Sequence, residues 1–579
     1  MTTTATRSSE HAVVSWDGTS LFYRAWLPPA QTDKAVLLFH RGHEHSERWQ
    51  DVVDRLDLTD VGVYAWDARG HGRSPGKRGW AENLAMLTKD VDAFVRHVAM
   101  HHRVPVENMV ILAHSVGAVV VTAWVHDFAP PIRGLVLATP AFRVRLYVPL
   151  AVSLLRVRQA LLGPGYVKSY VKARMLTHDP VEAERYAADA QIFREIAVNV
   201  LIDLHDTSTR LLEDASAIEV PTLMLVAGSD WVVKQSAQRR FFEGLASPIK
   251  EIHEFPGFFH ALFHERDRHL PIAEVRRFIL GRFAAPTALR SRLDADRTHP
   301  SRAEYDRLRA LGGRPQFAIA RACLRTVGRL SAGVRLGWRA GFDSGVMLDY
   351  VYENRPQGVT ALGRLIDRAY LGSIGWRGIR LRRRHLEQVL RAVIERMHAS
   401  GRPVRLLDIA SGPGRYLLET LRSLATIPTT ARLRDYKSEN IMAGRRLAAE
   451  LGLGNVTYEE GDAFDRAAVA RITPRPTVAV VSGLYELFPD NARVLDSLRG
   501  LADALEPGGY LIYTNQPYHP QLEFIARVLT NREGQPWVMR CRSQAEMDEL
   551  VRTAGFEKLG MEIDRWGIFT VSTARRLPA

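Results

Sequence analysis

Val110-Ile111-Leu112-Ala113-His114-Ser115-Val116-Gly117-Ala118 decides how the front half of the chain is read. The apolar, partly β-branched run reads as a buried strand. It stops at a serine between small residues, and residues 119–128 continue as a helix. A strand, a serine turn and a helix are the context of a nucleophile elbow, where a sharp turn lifts the serine Oγ clear of the sheet. Small neighbours are needed because strand and helix backbones pass close together there. The pattern is G-x-S-x-G, with Ala113 in place of the first glycine. Alone, such a serine could serve as a helix N-cap.

Working outward, residues 11–27 read as a hairpin about Asp17-Gly18, with strands at 34–39, 61–66 and 134–138 and helices at 49–56 and 82–101. Alternating strands and helices predict a mostly parallel sheet with helices on both faces. Residues 142–217 break the alternation. They read as a helical, apolar-basic insertion with no clear strand, placed as a lid over the strand ends. Strands at 222–227 and 250–255 and a helix at 272–283 complete the pattern.

Ser115, Asp230 and His260 each follow a strand, in the chain order Ser, Asp, His. That is the α/β-hydrolase order. In this reading Ser115 attacks an acyl carbon, His260 moves the proton and Asp230 orients the imidazole. Val116 and Gly42 are the expected backbone donors of an oxyanion hole. His264 is a rival base, and His114 is read as structural. His40, His43 and His45 are read as loop packing and substrate contact; no metal site is expected.

On these residues the front of the chain resembles the monoacylglycerol lipase, lysophospholipase and serine aminopeptidase-like α/β-hydrolases, over about residues 10–285. The resemblance rests on the loop from His40 to Trp49, on Asp67-Ala68-Arg69-Gly70-His71-Gly72-Arg73-Ser74, and on Pro256-Gly257-Phe258-Phe259-His260-Ala261-Leu262. It implies an acyl-lipid ester substrate. Arg41 stands where that group has an oxyanion-loop glycine, so it is expected to reshape the hole or to set a cation beside an anionic head group.

Residues 286–345 read as a charged linker and an amphipathic segment. Arg314, Arg321, Arg325, Arg329, Arg335 and Arg339 fall on one side of a helical projection. Ile319, Leu324, Val327, Leu330, Val334 and Trp338 fall on the other. Such a helix suits either peripheral contact with an anionic membrane or packing on a core.

The second core, residues 346–579, centres on Val404-Arg405-Leu406-Leu407-Asp408-Ile409-Ala410-Ser411-Gly412-Pro413-Gly414-Arg415-Tyr416. An apolar strand ends in a glycine turn that lets a ligand approach a helix N-terminus. Asp408 and Asp435 end two strands, where a carboxylate can bind ribose hydroxyls. Asp462 follows a third and could meet an adenine amino group. Leu505-Glu506-Pro507-Gly508-Gly509 turns into a fifth strand. The succession resembles class I S-adenosylmethionine-dependent methyltransferases, with a Rossmann-like fold. That resemblance implies S-adenosylmethionine as donor, held by Asp408, Gly412, Gly414, Asp435 and Asp462. A dinucleotide oxidoreductase is the rival, but the third fingerprint glycine is absent. Asn515-Gln516-Pro517-Tyr518 looks like an amino-methyltransferase motif, but it follows the fifth strand instead of the fourth. It is read as a loop beside the acceptor pocket, with Tyr485, Tyr518 and His519 as candidate lining.

The expectation is therefore an α/β protein of two domains, an ester hydrolase on a small-molecule or lipid ester and a methyltransferase with an unidentified acceptor. The competitor is a nucleic-acid-modifying methyltransferase with a degenerate hydrolase domain. Lys and Arg total 78 against 64 Asp and Glu, which permits anionic partners and selects none. No nucleic-acid module is recognised, so that partner is disfavoured. Two cysteines, a polar stretch over residues 1–10 and no run long enough to span a bilayer point to a cytoplasmic protein, peripheral at most on the inner face of a membrane.

Overall fold

The computed structural model describes residues 8–286, 291–310, 312 and 314–578. Residues 1–7, 287–290, 311, 313 and 579 lie outside them, and with them part of the polar N-terminal stretch and of the expected linker. The chain divides into two compact units, Met1–Leu289 and Arg290–Ala579.

Unit 1 is built on strands β1 (Ser9–Val14), β2 (Ser20–Trp26), β3 (Ala35–Phe39), β4 (Gly62–Trp66), β5 (Met109–His114), β6 (Gly134–Ala138), β7 (Tyr166–Lys168), β8 (Glu195–Ala197), β9 (Thr222–Ala227) and β10 (Lys250–Phe255). Eight form one sheet in the order β1-β2-β4-β3-β5-β6-β9-β10. The first two are an antiparallel hairpin, and β3, β4, β5, β6, β9 and β10 run parallel to one another. Every residue of β5 is buried, as expected of a strand covered by helices on both faces. Between β6 and β9 lies the lid. The expectation of a strandless lid is corrected: β7 and β8 pair antiparallel within it. At three residues each, they are too short to show a period in the sequence.

Unit 2 contains β11 (Val404–Asp408), β12 (Thr429–Asp435), β13 (Val456–Glu460), β14 (Val478–Val481), β15 (Tyr510–Asn515), β16 (Phe556–Ile563) and β17 (Thr570–Arg576), in the order β13-β12-β11-β14-β15-β17-β16. β17 runs antiparallel to both of its neighbours, β15 and β16, and the other adjacent pairs are parallel. The connections leave β11 first toward β12 and β13, then cross to β14. This reversal opens a crevice at the strand ends, the usual ligand position in such sheets. The architecture is the expected Rossmann-like one; the sequence reading stopped at β15 and missed the last two strands.

The described residues of 291–345 are not a separate linker. Leu308, Phe342, Met347 and Trp376 share one buried core with Ile525 and Trp537, inside unit 2. The single basic-apolar helix is also corrected. The segment forms a helix Pro315–Arg325, a short turn Val327–Leu330 and a helix Ala332–Ala340. The first helix stops where Thr326 leaves helical geometry (φ −107, ψ −92), and the last restarts when Ser331 caps the Val334 N–H. Phe317, Leu324, Leu336 and Trp338 pack on the core, and Arg325 lies 4.9 Å over the Trp338 ring. Leu324 and Trp338 of the apolar face are therefore spent on packing. No helix among the described residues is long and apolar enough to cross a membrane.

Candidate active sites

In unit 1, Ser115 opens the helix Ser115–Phe128 directly after β5, at φ +55. A non-glycine residue in the left-handed region is strained, and such strain gathers at functional turns. Gly117 is required by space: a Cβ there would overlap the His40 carbonyl oxygen. At the other elbow position Ala113 fits, fully buried in β5 beside Phe39.

Asp230 and His260 follow β9 and β10 and converge on Ser115. The Ser115 hydroxyl lies 2.7 Å from His260 Nε2 and donates to it in the tautomer set by Asp230. On the far side, His260 Nδ1–H donates to Asp230 Oδ2 at 2.7 Å. The other Asp230 oxygen accepts the Val232 and Val233 N–H groups at 2.7 and 2.9 Å. All three residues are buried. His114 supports the base from behind, its Nε2–H donating to the His260 carbonyl at 3.0 Å, and burial keeps it neutral. His264 points elsewhere, to the Arg48 carbonyl, and burial lowers it to about 4.

Gly42 lies against Val116; a Cβ on it would stand 3.2 Å from Val116 Cγ2. The loop carrying Gly42 is held by His40. Its Nε2 accepts the Ala68 N–H at 3.0 Å, so the proton sits on Nδ1 and donates to the Arg41 carbonyl at 2.7 Å. Arg41 is not available to a head group. Its guanidinium pairs with buried Glu44 at 2.7 Å and lies 5.1 Å from the Tyr186 ring of the lid. Glu44 also pairs with Arg48, and Arg48 with Glu182 of the lid. His45 pairs with Asp189, also in the lid. Two supports escaped the sequence reading. Glu44 ties the loop to the lid through these pairs, and Asp67 accepts the Ser46 and Arg73 N–H groups at 2.6 and 2.8 Å. Both stand inside the quoted motifs, which was the available signal.

In unit 2 a cavity of about 720 Å³ opens at the crevice, lined by Gly412, Gly414, Asp435, Asp462 and Phe464 among others. Gly414, at φ +77, has no room for a Cβ, which would overlap Leu433 Cδ2. Asp435 accepts the Gly412 N–H at 2.9 Å and the Lys437 N–H at 2.9 Å, so it both shapes the glycine loop and faces the cavity. Asp462 accepts the Phe464 N–H at 2.9 Å. Asp408 is placed differently from the expectation. It is fully buried, does not line the cavity, and accepts the Ala410 N–H and the Tyr416 hydroxyl. Burial pushes its carboxyl up to about 7.

Of the three aromatic candidates for an acceptor pocket, His519 lines a cavity of about 330 Å³ beside this crevice. Tyr485 is buried and donates to Ser497. Asn515 is held by the Arg542 carbonyl at 3.0 Å and takes no part in a pocket.

Fold and sites define an α/β-hydrolase unit followed by a methyltransferase-type unit. The family model described as "Serine aminopeptidase, S33" matches residues 30–267, and that described as "Putative methyltransferase" matches residues 275–576. The chain belongs to this methyltransferase family and carries the S33 hydrolase domain at its front. It is 49% identical over 579 residues to the uncharacterized protein YnbC of Escherichia coli, covering 98% of both chains. It is 27% identical over 274 residues to a monoacylglycerol lipase of Mycolicibacterium smegmatis, covering 47% of this chain and 97% of that protein. The crystal structure of Paleococcus ferrophilus monoacylglycerol lipase matches 45% of this chain and 99% of its own at 25% identity, with a TM-score of 0.42.

Proposed function

We propose that the protein joins a serine ester hydrolase, acting on a lipid ester, to an S-adenosylmethionine-dependent methyltransferase. The observation that carries the first activity is the unbroken Ser115–His260–Asp230 chain at 2.7 and 2.7 Å. His260 accepts the serine proton as Oγ attacks the acyl carbon, then returns it to the leaving alkoxide; Asp230 stabilises the imidazolium. The N–H groups of Val116 and Gly42 receive the developing oxyanion. Likeness to a monoacylglycerol lipase supports a glycerol-ester substrate. The complete triad weighs against the alternative of a degenerate hydrolase domain.

For the second activity, the crevice has the groups a sulfonium nucleoside needs. The turn at Gly412 and Gly414 leaves room for close backbone approach, Asp435 suits ribose hydroxyls, and Asp462 beside Phe464 suits an adenine. Its volume of about 720 Å³ falls within the range of cofactor sites. Bound there, S-adenosylmethionine supplies an electrophilic methyl group, and the protein holds donor and acceptor in line.

The test is covalent labelling with a fluorophosphonate and turnover of acyl esters by the full chain. Wild type labels and turns over; Ser115→Ala does neither, while its S-adenosylhomocysteine affinity stays unchanged. Full labelling of Ser115→Ala removes Ser115 as nucleophile.

A further inference from the structure

Beside the donor crevice lies a second cavity of about 330 Å³, and the two share Asp343, Leu348, Arg382, Gly483 and Leu487 as lining. Its walls are mostly apolar, with Tyr370, Trp376, Phe524, Trp537 and Phe569 among them. Trp376 and Trp537 stack at 6.2 Å, and Phe569 lies 4.8 Å under the Arg382 guanidinium.

Buried polar groups in a native fold are hydrogen-bonded, and each exception calls for an explanation. Three exceptions fall on this one apolar cavity. Arg382 Nε, Glu486 Oε2 and Trp537 Nε1 are each buried with no hydrogen-bond partner among the described residues. All three residues are more than nine-tenths buried. Arg382 and Glu486 face each other loosely, at 3.4 Å through Nη1 and Oε1, so neither saturates the other. His519 adds a fourth group. Its Nδ1 accepts the Gln521 N–H at 3.0 Å, and burial lowers it to about 4. The ring is therefore neutral with its proton on Nε2. Gly375 leaves that edge clear, since a Cβ there would stand 3.0 Å from Nε2.

We propose that this cavity is the methyl-acceptor site and that the acceptor is a small apolar alcohol or phenol whose hydroxyl lies between Arg382 and Glu486. The inference rests on the donor-site reading given above. The unpartnered groups select the hydroxyl. Glu486 Oε2 can only accept and Arg382 Nε can only donate, and a hydroxyl answers both. A carboxylate would leave Glu486 Oε2 facing a like charge. A nucleic-acid strand, with its charged backbone, finds no match in a mostly apolar cavity of about 330 Å³. Methylation of that hydroxyl forms an O–C bond and breaks the donor C–S bond, whose electron pair stays on sulfur. The hydroxyl proton passes to Glu486.

The test uses the full chain, calorimetry and three probes of one skeleton: 2-naphthol, 2-naphthoate and naphthalene. S-adenosylhomocysteine is titrated in parallel. Wild type is expected to bind 2-naphthol in preference to the other two, together with S-adenosylhomocysteine. Glu486→Gln is expected to weaken 2-naphthol by about tenfold, the loss of one hydrogen bond to a charged group. It should leave naphthalene and S-adenosylhomocysteine unchanged. Glu486→Asp, which draws the carboxylate back by one methylene, serves if Glu486→Gln fails to fold and should also weaken 2-naphthol selectively. S-adenosylhomocysteine binding with no preference for 2-naphthol, or with 2-naphthoate preferred, overturns this inference alone. No S-adenosylhomocysteine binding overturns the donor-site reading, and the acceptor assignment with it.

Discussion

Asp230→Asn probes the hydrolase site at its least visible member. Asp230 Oδ1 accepts two backbone N–H groups, from Val232 at 2.7 Å and Val233 at 2.9 Å. An asparagine oxygen keeps both bonds, so the side chain holds its place and the fold is retained. The amide NH₂ then occupies the Oδ2 position, 2.7 Å from His260 Nδ1. A donor there forces Nδ1 to accept and moves the imidazole proton to Nε2. Nε2–H cannot take the Ser115 proton, so the nucleophile loses its base without moving. The same tautomer error in a characterised serine protease lowers kcat about 10⁴-fold. At about 1.36 kcal/mol per decade, that is about 5.4 kcal/mol of barrier. The assay is initial-rate hydrolysis of a short-chain acyl ester, with circular dichroism and thermal denaturation as controls. A well-folded Asp230→Asn protein within tenfold of wild-type kcat/KM refutes the assignment of Asp230.

The other predictions concern supports and the crevice of unit 2. Gly414→Ala puts a Cβ into Leu433 at φ +77, so S-adenosylhomocysteine affinity should fall and thermal stability drop by about 1–3 kcal/mol; calorimetry reads both. Glu44→Gln strips the carboxylate from buried Arg41 and Arg48 and should cost unit 1 about 3–5 kcal/mol in denaturant titrations. Burial alone would raise the Glu44 carboxyl, but Arg41 and Arg48 outweigh it and hold it well below the ordinary 4.5. Its contribution is therefore complete above pH 4.5 and is lost as pH falls toward its folded value. Asp408 has the opposite sign: burial raises it from 3.8 to about 7, so the folded state keeps a proton that the unfolded chain releases. The transition shifted by S-adenosylhomocysteine should lose stability from pH 4 to about 7, and Asp408→Asn should flatten that decline in scanning calorimetry.

Much of both sites was legible because local chemistry leaves a local mark. A buried strand that ends at His114 and turns into a helix at Ser115-Val116-Gly117 is an elbow, since only a small residue passes the His40 carbonyl at Gly117. Gly412 and Gly414 mark a loop of positive φ in the same way. Period and spacing were enough to place Ser115, Asp230 and His260 at the ends of parallel strands. What the sequence by itself did not determine is where a side chain points once the strand or helix has ended. Asp408 and Asp435 look alike as acidic strand ends, yet one is sealed behind Tyr416 and the other faces the crevice. Tyr485 and His519 are both polar aromatics after a strand, and only His519 reaches a cavity. Arg41 reads as a free cation until Glu44 and Tyr186 are seen around it. The stretch from Arg314 to Phe342 scores as one amphipathic helix, but its apolar side chains find a core and the helix breaks at Thr326 to fit it. Periodicity encodes which face of an element is apolar. What that face meets is set by residues far away in the chain, and only the tertiary structure decides it.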